Sequence, residues 1–214
     1  MRNILIIAYY YTPQNNGGVQ RIVNFQKYLP EYGYNTYILT TDREGKCENE
    51  TNVFRFSDKG NEISHKTIPV IAYPFKLLRE FSVYWGIVGD WFYWWKKEVI
   101  KNFEKTVGDI EFDYIICSFP PIMDLEIGEY LSKKYNIPLI VDYRDGLMHL
   151  PFHYINEKSR FFVKRTNDLE RRVSEKSQLN IVVNDSMEQY YSSKYSTPTI
   201  VIQNGFYDEE KFNE

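Results

Sequence analysis

Short apolar runs rich in β-branched residues alternate along this chain with longer segments of helical periodicity. That rhythm restricts the fold more than any other feature. Ile4–Tyr9 reads ILIIAY, apolar at every position. A strand with one wet face alternates apolar and polar residues, so an unbroken run fits a strand buried on both faces, as in a parallel sheet. A loop containing Pro13, Asn15, Asn16, Gly17 and Gly18 follows. Val19–Leu29 then places apolar residues at Val19, Ile22, Val23, Phe25 and Leu29, which suits an amphipathic helix stopped by Pro30 and Gly33.

The same alternation predicts strands at Tyr37–Leu39, Val53–Phe56, Tyr114–Cys117, Leu139–Val141, Ile181–Val183 and Thr199–Ile202. Helices are expected at Leu125–Tyr135, Phe161–Lys176 and Ser186–Tyr195. Strands alternating with helices imply right-handed βαβ units, hence a doubly wound, mostly parallel sheet of about seven strands with helices on both faces. We expect one Rossmann-like α/β domain over residues 1–203, with 204–214 opening a linker.

One stretch breaks the rhythm, an aromatic helical insertion at about 73–106. Its four tryptophans, Trp85, Trp91, Trp94 and Trp95, fall within eleven positions. Gly86 and Gly89 divide it into two helical pieces, and Asp90 is placed to cap the second. Apolar residues surround both pieces, and Lys76, Arg79, Lys96, Lys97 and Lys101 outnumber Glu80, Asp90 and Glu98. Tryptophan and tyrosine favour a bilayer interface and cations favour anionic headgroups, so this face would meet a membrane or an amphiphilic substrate. The competing reading is a hairpin packed on the core, its surplus aromatics covered by another domain or a second chain.

Composition narrows the function classes. A formal net charge of -3 argues against a nucleic-acid binder. Cys47 and Cys117 form no C-x-x-C pair, which suits a reducing, cytoplasmic setting. No run approaches the ~20 residues of a transmembrane helix, and Ile4–Ala8 is too short for a signal-peptide core. The sequons at Asn49 and Asn184 are therefore expected to go unused.

Chemistry-bearing residues gather at predicted strand tips. Asn16-Gly17-Gly18-Val19-Gln20-Arg21 follows a buried strand and opens a helix, where outward-pointing amides and the helix dipole favour an anion. The spacing is neither G-x-G-x-x-G nor a P-loop, so a dinucleotide-dependent oxidoreductase or epimerase loses support. Asp142, Arg144 and Asp145 stand at the end of another strand, either as a polar site or as a salt bridge with a cap. Ser118-Phe119-Pro120-Pro121 stands at another strand tip, where the double Pro fixes an extended loop, either as a ligand contact or as a rigid turn. His149 and His153 have i, i+4 spacing, but Pro151 breaks a helix between them, so no metal site is expected.

The order of these motifs resembles the N-terminal half of a GT-B, retaining glycosyltransferase of the family 4 type. Ile4–Arg21 resembles that family's opening strand, Pro loop and Gly-Gly helix start. Ser118–Asp145 resembles its run of double Pro, helix, strand and D-aromatic-R-D. Asn167–Asp185 and Ile202–Phe212 resemble the helix–strand and N-G segments that lead towards its second domain. Departures are Asn184-Asp185 in place of Ser or Thr, and Gly146-Leu147 in place of Pro-Trp.

The resemblance implies transfer of a sugar from a nucleotide diphosphate sugar, with no metal or other cofactor. Gly17, Gly18 and Arg21 would face the donor pyrophosphate, and Asp142, Arg144 and Asp145 would line the cleft by the reacting sugar. It also implies that the donor domain lies beyond this chain. The acceptor would be a cell-envelope glycan or lipid-linked saccharide, handled at the inner membrane face by Trp85, Trp91, Trp94, Trp95, Lys96 and Lys97. The rival is a non-catalytic binding or regulatory module that keeps the fold.

Overall fold

The computed structural model describes residues 1–15, 17–47, 50–59, 69–149 and 159–205, with backbone alone at 69–72 and 75. His153, Asn49, Asn16 and most of the expected linker lie outside these residues. Seven strands form one sheet: β1 (Arg2–Ile7), β2 (Tyr34–Thr41), β3 (Val53–Phe56), β4 (Tyr114–Phe119), β5 (Leu139–Tyr143), β6 (Leu179–Val182) and β7 (Thr199–Val201). Every pairing is parallel and the order is β3-β2-β1-β4-β5-β6-β7. The α/β, Rossmann-like expectation holds.

Burial on both sides explains the continuous apolar run. Side chains alternate across a strand, so Leu5, Ile7 and Tyr9 join one core while Ile4, Ile6 and Ala8 join the other. Helix α1 (Gly17–Tyr28) covers the second face through Ile22. The first face is covered by α3 (Tyr93–Val107), α4 (Ile122–Tyr135), α5 (Arg160–Lys176) and α6 (Asp185–Lys194). Among the described residues the remaining helix, α2 (Pro69–Tyr84), precedes α3 in the aromatic hairpin and touches α5.

Glycine divides the hairpin as its sequence predicts. Gly86 has φ +64, and a Cβ there would sit 2.8 Å from the Phe161 carbonyl oxygen. Gly89 lies against α4, where a Cβ would meet Ile122 Cγ2 at 2.7 Å. Asp90 departs from its expected part. Helix α3 starts after Phe92 with no side-chain cap, and Asp90 instead accepts from Phe92 N at 2.9 Å and Met123 N at 3.1 Å. It therefore supplies the acceptor that Pro121, the residue before α4, lacks. Asn184 caps α6, accepting from Met187 N at 2.9 Å.

Candidate functional site

The sheet reverses direction between β1 and β4: the chain runs outward to β2 and β3 on one side and to β5, β6 and β7 on the other. In such sheets the crevice at the carboxyl ends beside that reversal is where ligands bind. The exits of β1, β4 and β5 meet there. Tyr9, just past β1, donates its amide to Asp124 Oδ2 at 3.0 Å and its hydroxyl to Asp58 Oδ2 at 2.9 Å. Its ring packs 4.2 Å from Phe92 and edge-on to Trp95 at 5.1 Å, centroid to centroid, so the aromatic hairpin sits directly on the β1 tip.

The loop after β1 delivers the chain to Gly17, which opens α1 in an exposed position. Beyond its chain neighbours and its own helix, a Cβ built on Gly17 would have no neighbour within 4 Å among the described residues. Gly17 stands at the lip of a cavity of about 310 Å³ that runs along α1 past Gln20, Arg21 and Asn24 to residues 203–205. First-turn amides of a helix lack intrahelical acceptors, so this lip suits an anion.

Arg21 does not point its charge at that lip. Its Nε lies 3.0 Å and 3.1 Å from the two Asp142 carboxylate oxygens, and Nη2 approaches Oδ1 at 2.8 Å. Nη1 donates to the Ile202 carbonyl at 2.8 Å, and Ser118 donates its hydroxyl to Asp142 Oδ2 at 2.9 Å. Arg21 is 5% exposed and Asp142 0%. These two predicted site residues are thus committed to each other, because each buried charge needs a partner. The pair ties α1, β4, β5 and the segment after β7 together under the cavity.

Arg144 is half-buried. Its amide donates to the Phe119 carbonyl at 3.0 Å and its guanidinium to the Pro120 carbonyl. It bridges the tips of β4 and β5. Both peptide bonds into Pro120 and Pro121 are cis, and Pro121 itself has extended backbone (φ -87, ψ 173) where it leads into α4. Asp145 is exposed beside them. His149 Nε2 lies 3.0 Å from Ser186 Oγ. Among the described residues, no cluster of three or more His, Cys, Asp or Glu side chains can hold a metal ion.

Asp124 and Glu170 escape a sequence-only reading, and Asp90 has a part other than the expected cap. Asp124 is wholly buried; burial pushes its acid well above the usual range, against the Tyr9 amide and then Arg144, which pull it down. Asp90 is pushed up to about 7, chiefly by burial, while its amide donors pull it down. Glu170, 0% exposed, accepts from Met148 N at 2.8 Å, Tyr195 OH at 2.8 Å, Lys194 Nζ at 2.9 Å, Tyr190 OH at 3.0 Å and Tyr191 OH at 3.3 Å. It anchors the loop that follows Arg144 and Asp145. The signal for Asp124 was a carboxyl inside the apolar run after Pro120-Pro121; for Glu170 it was the crowd of tyrosines at 190–195.

The predicted aromatic face divides. Trp85, Trp91 and Trp94 are 44%, 45% and 47% exposed, but Trp95 is 0% and belongs to the core. Trp95 is therefore removed from the surface set. Lys96 turns to Glu126, which also binds Arg165. Lys97 stays exposed, 5.4 Å over the Trp94 ring and 5.0 Å over Tyr93. No helix among the described residues is long and apolar enough to cross a membrane.

No family model matches this sequence, and no curated protein matches it. Solved structures do. Sucrose-phosphate synthase from Thermosynechococcus elongatus aligns with a TM-score of 0.55 and 14% identity over 96% of this chain and 49% of that one. A shorter form of the same synthase aligns equally well, over 95% and 90% of the two chains. Phytolacca americana UGT2, complexed with UDP-2fluoro-glucose and pterostilbene, gives a TM-score of 0.48 at 8% identity. The chain spans about half the length of the full synthase. The likeness to the synthase shows the fold alone: a Rossmann-like α/β domain of the kind that forms one half of a GT-B architecture.

Proposed function

We propose that this chain is the N-terminal, acceptor-side domain of a glycosyltransferase that moves a sugar from a nucleotide diphosphate sugar to an envelope glycan or lipid-linked acceptor. Gly17 carries the reading: it opens α1 at the sheet reversal, on the lip of the α1 cavity, with open space where any other residue would carry a Cβ. Amides there would stabilise the charge of a departing nucleotide diphosphate without a metal. A second domain would supply the opposite wall. Asp145 and Arg144, at the β5 tip, would orient the reacting sugar, and retention of configuration follows the family resemblance. The exposed Trp85, Trp91, Trp94 and Lys97 would lie towards the acceptor at the cytoplasmic membrane surface.

Titration of the full-length protein with UDP- and GDP-sugars tests this, comparing wild type with Gly17→Val. Beyond its chain neighbours and its own helix, no described residue lies within 4 Å of the Gly17 Cβ position, so valine should be accommodated and should obstruct a close-approaching phosphate. Binding weakened about tenfold or more is expected; equal affinity refutes the role of the lip. Nucleotide-sugar binding without transfer to any acceptor would favour the non-catalytic module.

A further inference from the structure

A second cavity, of about 200 Å³, lies inside the aromatic hairpin, lined by Lys76, Arg79, Ser82, Asp90, Trp91 and Trp94. Its cations differ from their neighbours. Lys96 and Arg165 both close on Glu126. The Arg79 guanidinium instead lies 3.8 Å over the Trp91 ring, and its buried Nε has no hydrogen-bond partner among the described residues. Burial lowers its pKa, with Glu80 and Asp58 acting the other way. A guanidinium stacked on an indole, with one N–H left without a partner at a cavity wall, is a preorganised donor for an anion. The carboxyl on the cavity wall, Asp90, gives its oxygens to the Phe92 and Met123 amides.

The cavity also leads somewhere. Leu78 lines it and, in addition, lines an open groove of about 730 Å³ with Pro74, Leu77, Phe81 and Tyr84, where Glu80 is the single charged residue. Leu77, Leu78 and Phe81 are 48%, 63% and 55% exposed along one side of α2. A cationic socket continuous with an apolar trough has the profile of an amphiphile with a charged head. The cavity adjoins the β1 tip, since Phe92, two residues past Asp90, packs on Tyr9.

We propose that the hairpin binds an amphiphile through its phosphate, held by Arg79 and Lys76 against Trp91, with its apolar chain along Leu77, Leu78 and Phe81. This deepens the acceptor reading above and rests on it only for the ligand's part in sugar transfer. The phosphate can come from a soluble phosphorylated lipid or from a bilayer headgroup, and the assay separates the two.

Tryptophan fluorescence of the protein is titrated with octyl phosphate, octanol and inorganic phosphate. Co-sedimentation uses phosphatidylcholine vesicles with and without phosphatidic acid. Octyl phosphate should bind more tightly than octanol or inorganic phosphate alone, and Arg79→Gln should weaken it about tenfold. Leu78→Ser should weaken octyl phosphate but not inorganic phosphate. Binding to phosphatidic-acid vesicles alone, and only with Arg79 present, assigns the phosphate to the bilayer. Octanol binding as tightly as octyl phosphate, no binding to either phosphate source, or an Arg79→Gln protein that is folded by circular dichroism and binds unchanged would each overturn the proposal. The nucleotide-sugar titration is read separately, so failure of either leaves the other standing.

Discussion

Replacing Arg21 by Met tests whether the α1–β5 ion pair is the internal strut that its geometry indicates. The substitution keeps most of the side-chain volume and removes three approaches to the Asp142 carboxylate and one to the Ile202 carbonyl. Asp142, 0% exposed, would retain the Ser118 hydroxyl at 2.9 Å. Removing one partner of a buried pair costs about 3–5 kcal/mol, because the remaining charge is stranded. For a chain of this size that lowers the melting temperature by roughly 6–20 °C. Asp142→Leu alone strands the guanidinium, although Arg21 keeps its carbonyl acceptors and should lose less. The double variant, Arg21→Met with Asp142→Leu, removes both charges and should recover most of the loss. Urea unfolding of the four proteins at pH 7 gives the coupling. A loss below about 1 kcal/mol for Arg21→Met, or a double variant equal to the sum of the singles, would refute the strut. Normal stability with lost nucleotide-sugar binding would return Arg21 to the donor site.

Asp90 predicts a pH dependence of defined sign. Its acid sits at about 7 when folded, against 3.8 as its ordinary value, so the folded chain takes up the proton first as pH falls. This group's contribution to stability therefore rises from pH 7 towards pH 4, by at most about 1.4 kcal/mol per pH unit; urea midpoints with Asp90→Asn should show a shallower slope, and an equal slope argues against the assignment. Trp95→Ala should cost about 3–5 kcal/mol, whereas Trp94→Ala, at 47% exposure, should stay within about 1 kcal/mol in thermal unfolding. Gly86→Ala should destabilise by more than about 1 kcal/mol, because it combines φ +64 with a 2.8 Å approach to the Phe161 carbonyl. Glu170→Gln should lower stability by about 1–3 kcal/mol by leaving donors from α6 and Met148 competing for one neutral oxygen, measured by denaturant unfolding.

Sheet and helices were legible because their cause is local and periodic: ILIIAY can satisfy neither a solvated edge nor a one-faced strand. Trp94 and Trp95 show where legibility thins. Adjacent residues on a helix point about 100° apart, and a WW pair does not say which one is inside. A longer spacing does, since Trp95, Val99, Phe103 and Val107 recur every four residues and are the buried face of α3. The strand-end placement of the candidate site residues was legible, and their partners were not. Strand-tip chemistry marked Gly17, Asp142 and Arg144, but Arg21 and Asp142 lie 121 residues apart and Asp90 and Met123 lie 33 apart. No local pattern announces such partners. The demand for a partner is nevertheless readable: LIVDY ends a strand buried on both faces, and an ionised carboxyl there requires a counter-charge from another element. Arg21, near the start of an amphipathic helix that packs across the same strands, is the cation within reach of that demand. A charged residue inside an otherwise apolar strand is therefore better read as half of a pair than as a reagent waiting for substrate.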